Sequence, residues 1–223
     1  MRTVIRILVG LVILAAAAQI AVPTVVANEL AQTLQSFTGP ESRDTVELAA
    51  IPFWQLASGR FQDLRVTTVN GVAGPLAVAY FSADWQNGGV DPTAWFEDHR
   101  LVVTRPGRLR AQIKVDGAAL AAILQDSGHV ADPTVTVQPD GITVTGRVNL
   151  GALQGPVTMR GNLVIAADSR QLLFVPTSVD GLELPFGASI VVFDVSRLGL
   201  PFAVRLTGVR LVPPDVELSA EAP

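Results

Sequence analysis

Apolar and polar side chains alternate along most of this chain, and the alternation predicts strands. Leu64, Val66 and Thr68 alternate with Arg65 and Thr67, and Asn70-Gly71 then offers a turn. From Leu76 to Trp85 both sets carry apolar residues, so this strand reads as covered on both faces. Leu101 to Thr104 and Leu109 to Val115 flank Arg105-Pro106-Gly107, which reads as a hairpin turn; Leu109, Ala111, Ile113 and Val115 share one face. Val135 and Val137 form a short strand, Asp140-Gly141 gives a hairpin signal, and the Ile142–Leu150 and Val157–Ile165 runs alternate cleanly. Leu172 to Val175 and Ser189 to Phe193 are short apolar runs. The last strand reads as Phe202, Val204, Leu206, stepping over Gly208 to Val209 as at a bulge.

Helical spacing is rarer. Val22, Val25, Val26, Leu30, Leu34 and Phe37 recur at three and four, one helix face with Pro23 in its first turn. Asp116 can cap a short helix over Gly117 to Gln125 that buries Leu120, Ile123 and Leu124. Between the run Thr45 to Ile51 and the strand at Leu64 lies an unusual block. Pro52 opens it, Phe53, Trp54, Leu56 and Phe61 crowd into it, and Ser58-Gly59 breaks it. It reads as an apolar plug between two strands. Eight or more one-faced antiparallel strands with few helices predict an α+β domain. Its sheet is long, curved and wrapped around one or two helices. Such a face must be covered by the helices, by the plug or by an apolar ligand.

The first residues change the picture. Arg2 and Arg6 precede an apolar run from Ile7 to Ala18, and Val25-Val26-Ala27 resembles a cleavage site. Ile7 to Ala27 also approaches the roughly 20 residues that span a bilayer, with only Gln19 and Thr24 polar. Residues 1–22 are therefore expected to be a signal peptide or membrane anchor, and 23–223 a single domain. In either case the domain is expected outside the cytoplasmic membrane, exported or anchored at its outer face.

Composition narrows the function. The 223 residues are 49% hydrophobic and only 16% charged, too apolar for disorder. Net charge is −4, and no basic stripe exists to neutralise phosphates, so no nucleic-acid partner is expected. Zero cysteines exclude disulfides, thiolate metal sites and a Cys nucleophile. His99 and His129 lie in loop-like contexts without metal-ligand spacing, and no Gly-x-Ser-x-Gly elbow or phosphate loop occurs. Scattered carboxylates at turns suit capping better than catalysis. The residues thus give no cofactor, no metal site and no catalytic set.

The order of features resembles the LmeA-like phospholipid-binding family of bacterial envelope proteins. The resemblance rests on Pro23 to Leu30 after the apolar N-terminus and on the block Pro52 to Phe61 with its Gly59-Arg60-Phe61 ending. It continues through Leu64 to Val66, Gly89 to Pro92, Leu109 to Leu124 and Leu200 to Phe202. The stretch from Ser178 to Pro201 matches least. The resemblance implies an extracytoplasmic phospholipid binder with a fold similar to tubular lipid-binding domains, and it supplies no catalytic residues.

The expectation is a non-enzymatic protein that buries acyl chains of a phospholipid or other lipid in an apolar groove. Expected lining residues are Phe53, Trp54, Leu56, Phe61, Phe81, Ile113, Val144, Val148, Met159 and Leu163. Arg60 or Arg65 could meet a head group. Two alternatives stand beside it: an envelope scaffold with a self-filled core and a protein partner, and a carboxylate-based envelope hydrolase.

Overall fold

The computed structural model describes residues 17–222 apart from 20, 33, 36–37, 74–75, 98–101, 127, 129, 151–152, 184–188 and 199–202. The fold is α+β, mostly antiparallel strands curled into a half-barrel. The ladder is carried in two sheets. The first has the order β1 (Arg43–Ala49), β2 (Asp63–Ala73), β3 (Leu76–Gln86), β6 (Arg108–Asp116), β14 (Asp215–Ala222), β13 (Arg205–Val212). The second runs β11 (Leu182–Glu183), β10 (Gln171–Val179), β9 (Leu153–Ile165), β8 (Gly141–Leu150), β7 (Val130–Gln138), with β12 (Ile190–Asp194) also on β10. A small pair, β4 (Gly89–Val90) and β5 (Val103–Arg105), stands apart.

The first sheet has one dry face and one wet face. Residues directly paired across antiparallel strands point to the same side. One such row reads Glu47, Arg65, Asp84, Arg110, Glu221, Arg205, with the charge alternating across all six strands. Arg65 binds Asp84 at 2.9 Å and Glu47 at 3.7 Å, and Arg110 binds Glu221 at 3.3 Å. Such exposed pairs add little stability. They do mark the convex, wet side, and a one-residue slip of any strand would turn its charges inward.

A single core joins the two sheets. Helix α3 (Gly117–Asp126) packs mainly on β7 and also touches β12, β3 and β6, while β13 lies against β9 and β7. Asp116 caps α3 as expected: its Oδ1 accepts from Ala119 N at 2.8 Å. Ala119, Leu120 and Leu124 are the buried residues of α3. They join Ile113 and Val115 of β6, Val135 and Val144 of the second sheet, Phe174, and Val216 and Leu218 of β14 in one cluster.

The N-terminal helix, α1, is helical at 17–19, 21–32, 34–35 and 38. Helical residues precede Pro23, so this proline does not open the first turn. Of the expected inward face, Val22, Val26, Leu30 and Leu34 are half-buried and Val25 is 61% exposed, while Pro23 and Ala27 are the buried residues. Phe37 lies outside the described residues. Among them, no helix is long and apolar enough to cross a membrane.

Four other expectations need correction. Asn70-Gly71 is not a turn, because β2 runs through it to Ala73, with Asn70 at φ 56°. Arg105 to Gly107 does not close a hairpin: β5 pairs with β4, and β6 pairs with β3 and β14. The Val135–Val137 strand is longer, running from Val130 to Gln138. The strand at Leu206 is not the last, since β14 follows and inserts between β6 and β13. The bulge at Gly208 is real, a register shift between Leu206 and Gly208.

Candidate lipid-binding site

The dry face of the first sheet carries two apolar rows. The first is Leu48, Leu64, Trp85, Leu109 and Ala222; the second is Val46, Val66, Ala83, Ala111, Ala220 and Leu206. Burial changes along them. Ala220, Ala222 and Leu206 are buried, as is Trp85 within the first row, but Val46, Leu48, Leu64, Val66, Ala83, Leu109 and Ala111 are only half-buried. The half-covered strip spans β1 to β6, roughly 14 Å across four strands and about 7 Å along them from one row to the other. The small side chains of Ala83 and Ala111 leave space at its middle.

A polar knot bounds the strip at one end. Asp44 and Thr68 pair in the next row. Thr68 Oγ1 donates to Asp44 Oδ1 at 2.6 Å, and Thr38 Oγ1 and Ser42 Oγ lie 2.6 and 2.9 Å from Oδ2. Thr38 closes α1, so the knot pins this helix end above β1 and β2. Beside it is an open pocket of about 450 Å³ lined by Asn28, Ala31, Gln32, Gln35, Ser42, Arg43 and Asp44. Its amides and carboxylate suit water or a polar group rather than hydrocarbon.

At the opposite end Gln19 pins the first described turn of α1. Its Nε2 donates to Ala50 O at 2.6 Å, and its Oε1 accepts from Phe53 N at 3.0 Å. The helix therefore lies along β1, over the edge of the strip. The apolar plug begins here as a 3-10 helix, Phe53–Ser58. Gly59 ends it in the left-handed region at φ 70°, and a Cβ there would stand 1.8 Å from Val90 O, so no other residue fits. Phe53 and Trp54 meet edge-to-face at 5.5 Å, yet Trp54 is 62% exposed and Ile51 61%. Phe61 turns inward onto Trp85, edge-to-face at 5.0 Å, and Trp85 Nε1 donates to Pro106 O at 2.5 Å. Gly88 lets these rings close up, since a Cβ there would sit 2.6 Å from both.

The expected lining residues thus divide. Phe53 and Leu56 are half-buried and Trp54 is exposed in the plug that follows β1, and Phe61 packs on Trp85 of the first row. Phe81 pairs with Thr68 and Ile113 in the third row, half-buried against the core. Ile113, Val144, Met159 and Leu163 are 0–7% exposed within the shared cluster, packed by protein. The Val148 and Trp95 side chains, His99, His129 and Phe202 lie outside the described residues. Arg65 belongs to the convex ladder, where its hydrogen bond to Asp84 raises its pKa and holds it charged. Arg60 is exposed next to the plug.

Choice by side-chain size missed the floor of the strip. The alternation of Leu64 with Val66 and of Leu109 with Ala111 is visible in the chain. Only register shows that Val46, Ala83 and Ala111 complete it.

The first sheet is thus a curled antiparallel sheet with a charged outer face and an incompletely covered apolar inner face. The chain belongs to the LmeA-like phospholipid-binding family, whose model matches residues 17–221. No curated protein matches the chain. No solved structure matches it either.

Proposed function

We propose that the half-covered strip holds acyl chain of a phospholipid, and that the protein acts without catalysis on the outer side of the cytoplasmic membrane. Family membership supports lipid binding. The observation that carries the site is the burial gradient along one row: Ala220 and Leu206 are sealed while Val46, Val66, Ala83 and Ala111 are half-covered. Each CH₂ removed from water contributes about 0.8 kcal/mol, so a chain of ordinary length could gain roughly 10 kcal/mol before entropic costs. Phe53, Leu56, Phe81 and the rows of β1, β2, β3 and β6 form the contact surface. Helix α1 forms a wall, and the knot at Asp44 ends the hydrocarbon zone. Ile113, Val144, Met159 and Leu163 close the far side as packed core. The apolar run Ile7 to Ala18 behind Arg2 and Arg6 supports the placement outside the membrane.

The test is extraction of lipid from the purified protein, read by mass spectrometry. Phospholipid in near-stoichiometric amount is expected from the native chain, and a several-fold smaller amount from Ala83→Phe. Native protein that is consistently empty would count against the reading.

A further inference from the structure

We infer that the exposed tip at Ile51 and Trp54 docks into the interfacial layer of a lipid bilayer, so that the strip opens directly onto the membrane. The inference deepens the lipid-binding proposal and rests on it for the role of the strip.

Three observations meet at this tip. Ile51 and Trp54 are each more than 60% exposed, Trp54 in the 3-10 segment Phe53–Ser58 and Ile51 two residues before that segment begins. An isolated exposed apolar residue needs no explanation, but an exposed Trp beside an exposed Ile costs solvation twice in one place. Trp is also the side chain best suited to a half-wet interface, with an apolar body and one N–H for the polar layer.

The second observation is Gln19. One amide side chain both donates to Ala50 O and accepts from Phe53 N, the residues flanking Ile51 and Pro52. The tip is thereby fixed to α1 only a few residues after the apolar run Ile7 to Ala18. That run is the part of the chain built for hydrocarbon, and the clamp leaves little slack between it and the tip. In the uncleaved chain the membrane that takes the run is therefore within reach of Trp54, and it is the occupant this surface fits.

The third is charge. Pro52, Phe53, Trp54, Gln55, Leu56, Ala57 and Ser58 carry none, and the first charged residue after them is Arg60, exposed. A cation just behind an apolar tip suits anionic head groups. The charged ladder of the convex sheet lies on the other face, which this orientation leaves in water.

The chain has no cysteine, so one introduced thiol takes a label uniquely. Full-length protein carrying Trp54→Cys with an environment-sensitive fluorophore is reconstituted into vesicles of phosphatidylglycerol and phosphatidylethanolamine. Leu182→Cys, at a 75% exposed position on the second sheet, is the control. The label at 54 is expected to shift to blue emission and to be quenched by brominated acyl chains, while that at 182 stays water-like. Adding Gln19→Ala should reduce quenching at 54 at least twofold, with circular dichroism unchanged. Water-like, unquenched emission at both positions would overturn the docking. Lipid content of the purified protein before reconstitution separates the two claims: bound phospholipid with a water-exposed, unquenched tip overturns docking alone, and an empty protein with a quenched tip overturns the binding proposal alone.

Discussion

The two ends of the first sheet are built from the same pattern and finished differently. Toward β14 and β13 the inner face meets α3 and the second sheet, and Val216, Leu218 and Ala220 are 0–5% exposed. Toward β1 and β2 the same rows lie beside α1, and Val46, Leu48, Leu64 and Val66 stay half-covered. Strand propensity and alternation do not distinguish the ends. What differs is the cover: a short helix anchored in a second sheet on one side, and on the other a helix pinned at its two ends by polar side chains. Gln19 and the Thr38–Ser42–Asp44 knot fix the position of α1 without requiring a full apolar interface beneath it. A wall held from its ends can border a space that a wall held by packing would fill.

The comparison can be broken from either end. The largest effect is expected from Phe174→Ala, at a fully buried position of the sealed half. It should cost about 3–5 kcal/mol in urea unfolding, with lipid per folded molecule unchanged. A paired substitution is sharper, because Ala220 and Ala83 occupy one row. Ala220→Phe should cost about 1–3 kcal/mol by overpacking. Ala83→Phe should cost under about 1 kcal/mol, since half-covered space can accept the ring, and it should displace lipid several-fold. Equal stability losses at the two sites would show the strip to be filled.

Asp44→Ala addresses the knot. It leaves the hydroxyls of Thr38, Ser42 and Thr68 without their common acceptor, at a cost of about 1–3 kcal/mol. Hydrogen exchange should then rise in α1 and leave α3 protected. The smallest stability effect is expected for Trp54→Ala, within about 0.5 kcal/mol because the ring is mostly in solvent. Contact of the tip with the bilayer should fall all the same, read as weaker quenching by brominated acyl chains of a fluorophore at Ile51→Cys.

How far the chain itself reveals this can be followed residue by residue. The α3 cap was legible because Asp116 precedes a compact apolar helix, and local chemistry suffices there. The β7–β8 hairpin was legible for the same reason at Asp140-Gly141. The tail Asp215 to Ala222 was not read as a strand, although Val216, Leu218 and Ala220 alternate with Glu217 and Ser219. It is short and acidic, and its stability comes from insertion between β6 and β13, which is tertiary. Asn70-Gly71 misled for another reason: the antiparallel ladder with β3 continues through Gly71, Val72 and Ala73, so the hairpin closes later than the turn signal suggests. In the site, the large residues of the plug stood out while Ala83 and Ala111 did not. Space in a protein is made by small side chains on a shared face, and sharing a face is a property of register. The alternating charges from Glu47 to Arg205 were hidden in the same way, spread over six strands that meet only when folded.

The most direct measurement is photo-crosslinking of the full chain with a phospholipid bearing a photoreactive group in its acyl chain, followed by peptide mapping. Adducts on inner-face residues between Val46 and Leu48, Leu64 and Val66, or Leu109 and Ala111 are the result expected. Adducts confined to the second sheet around Val144 and Met159, or spread over the charged convex face, would contradict the account.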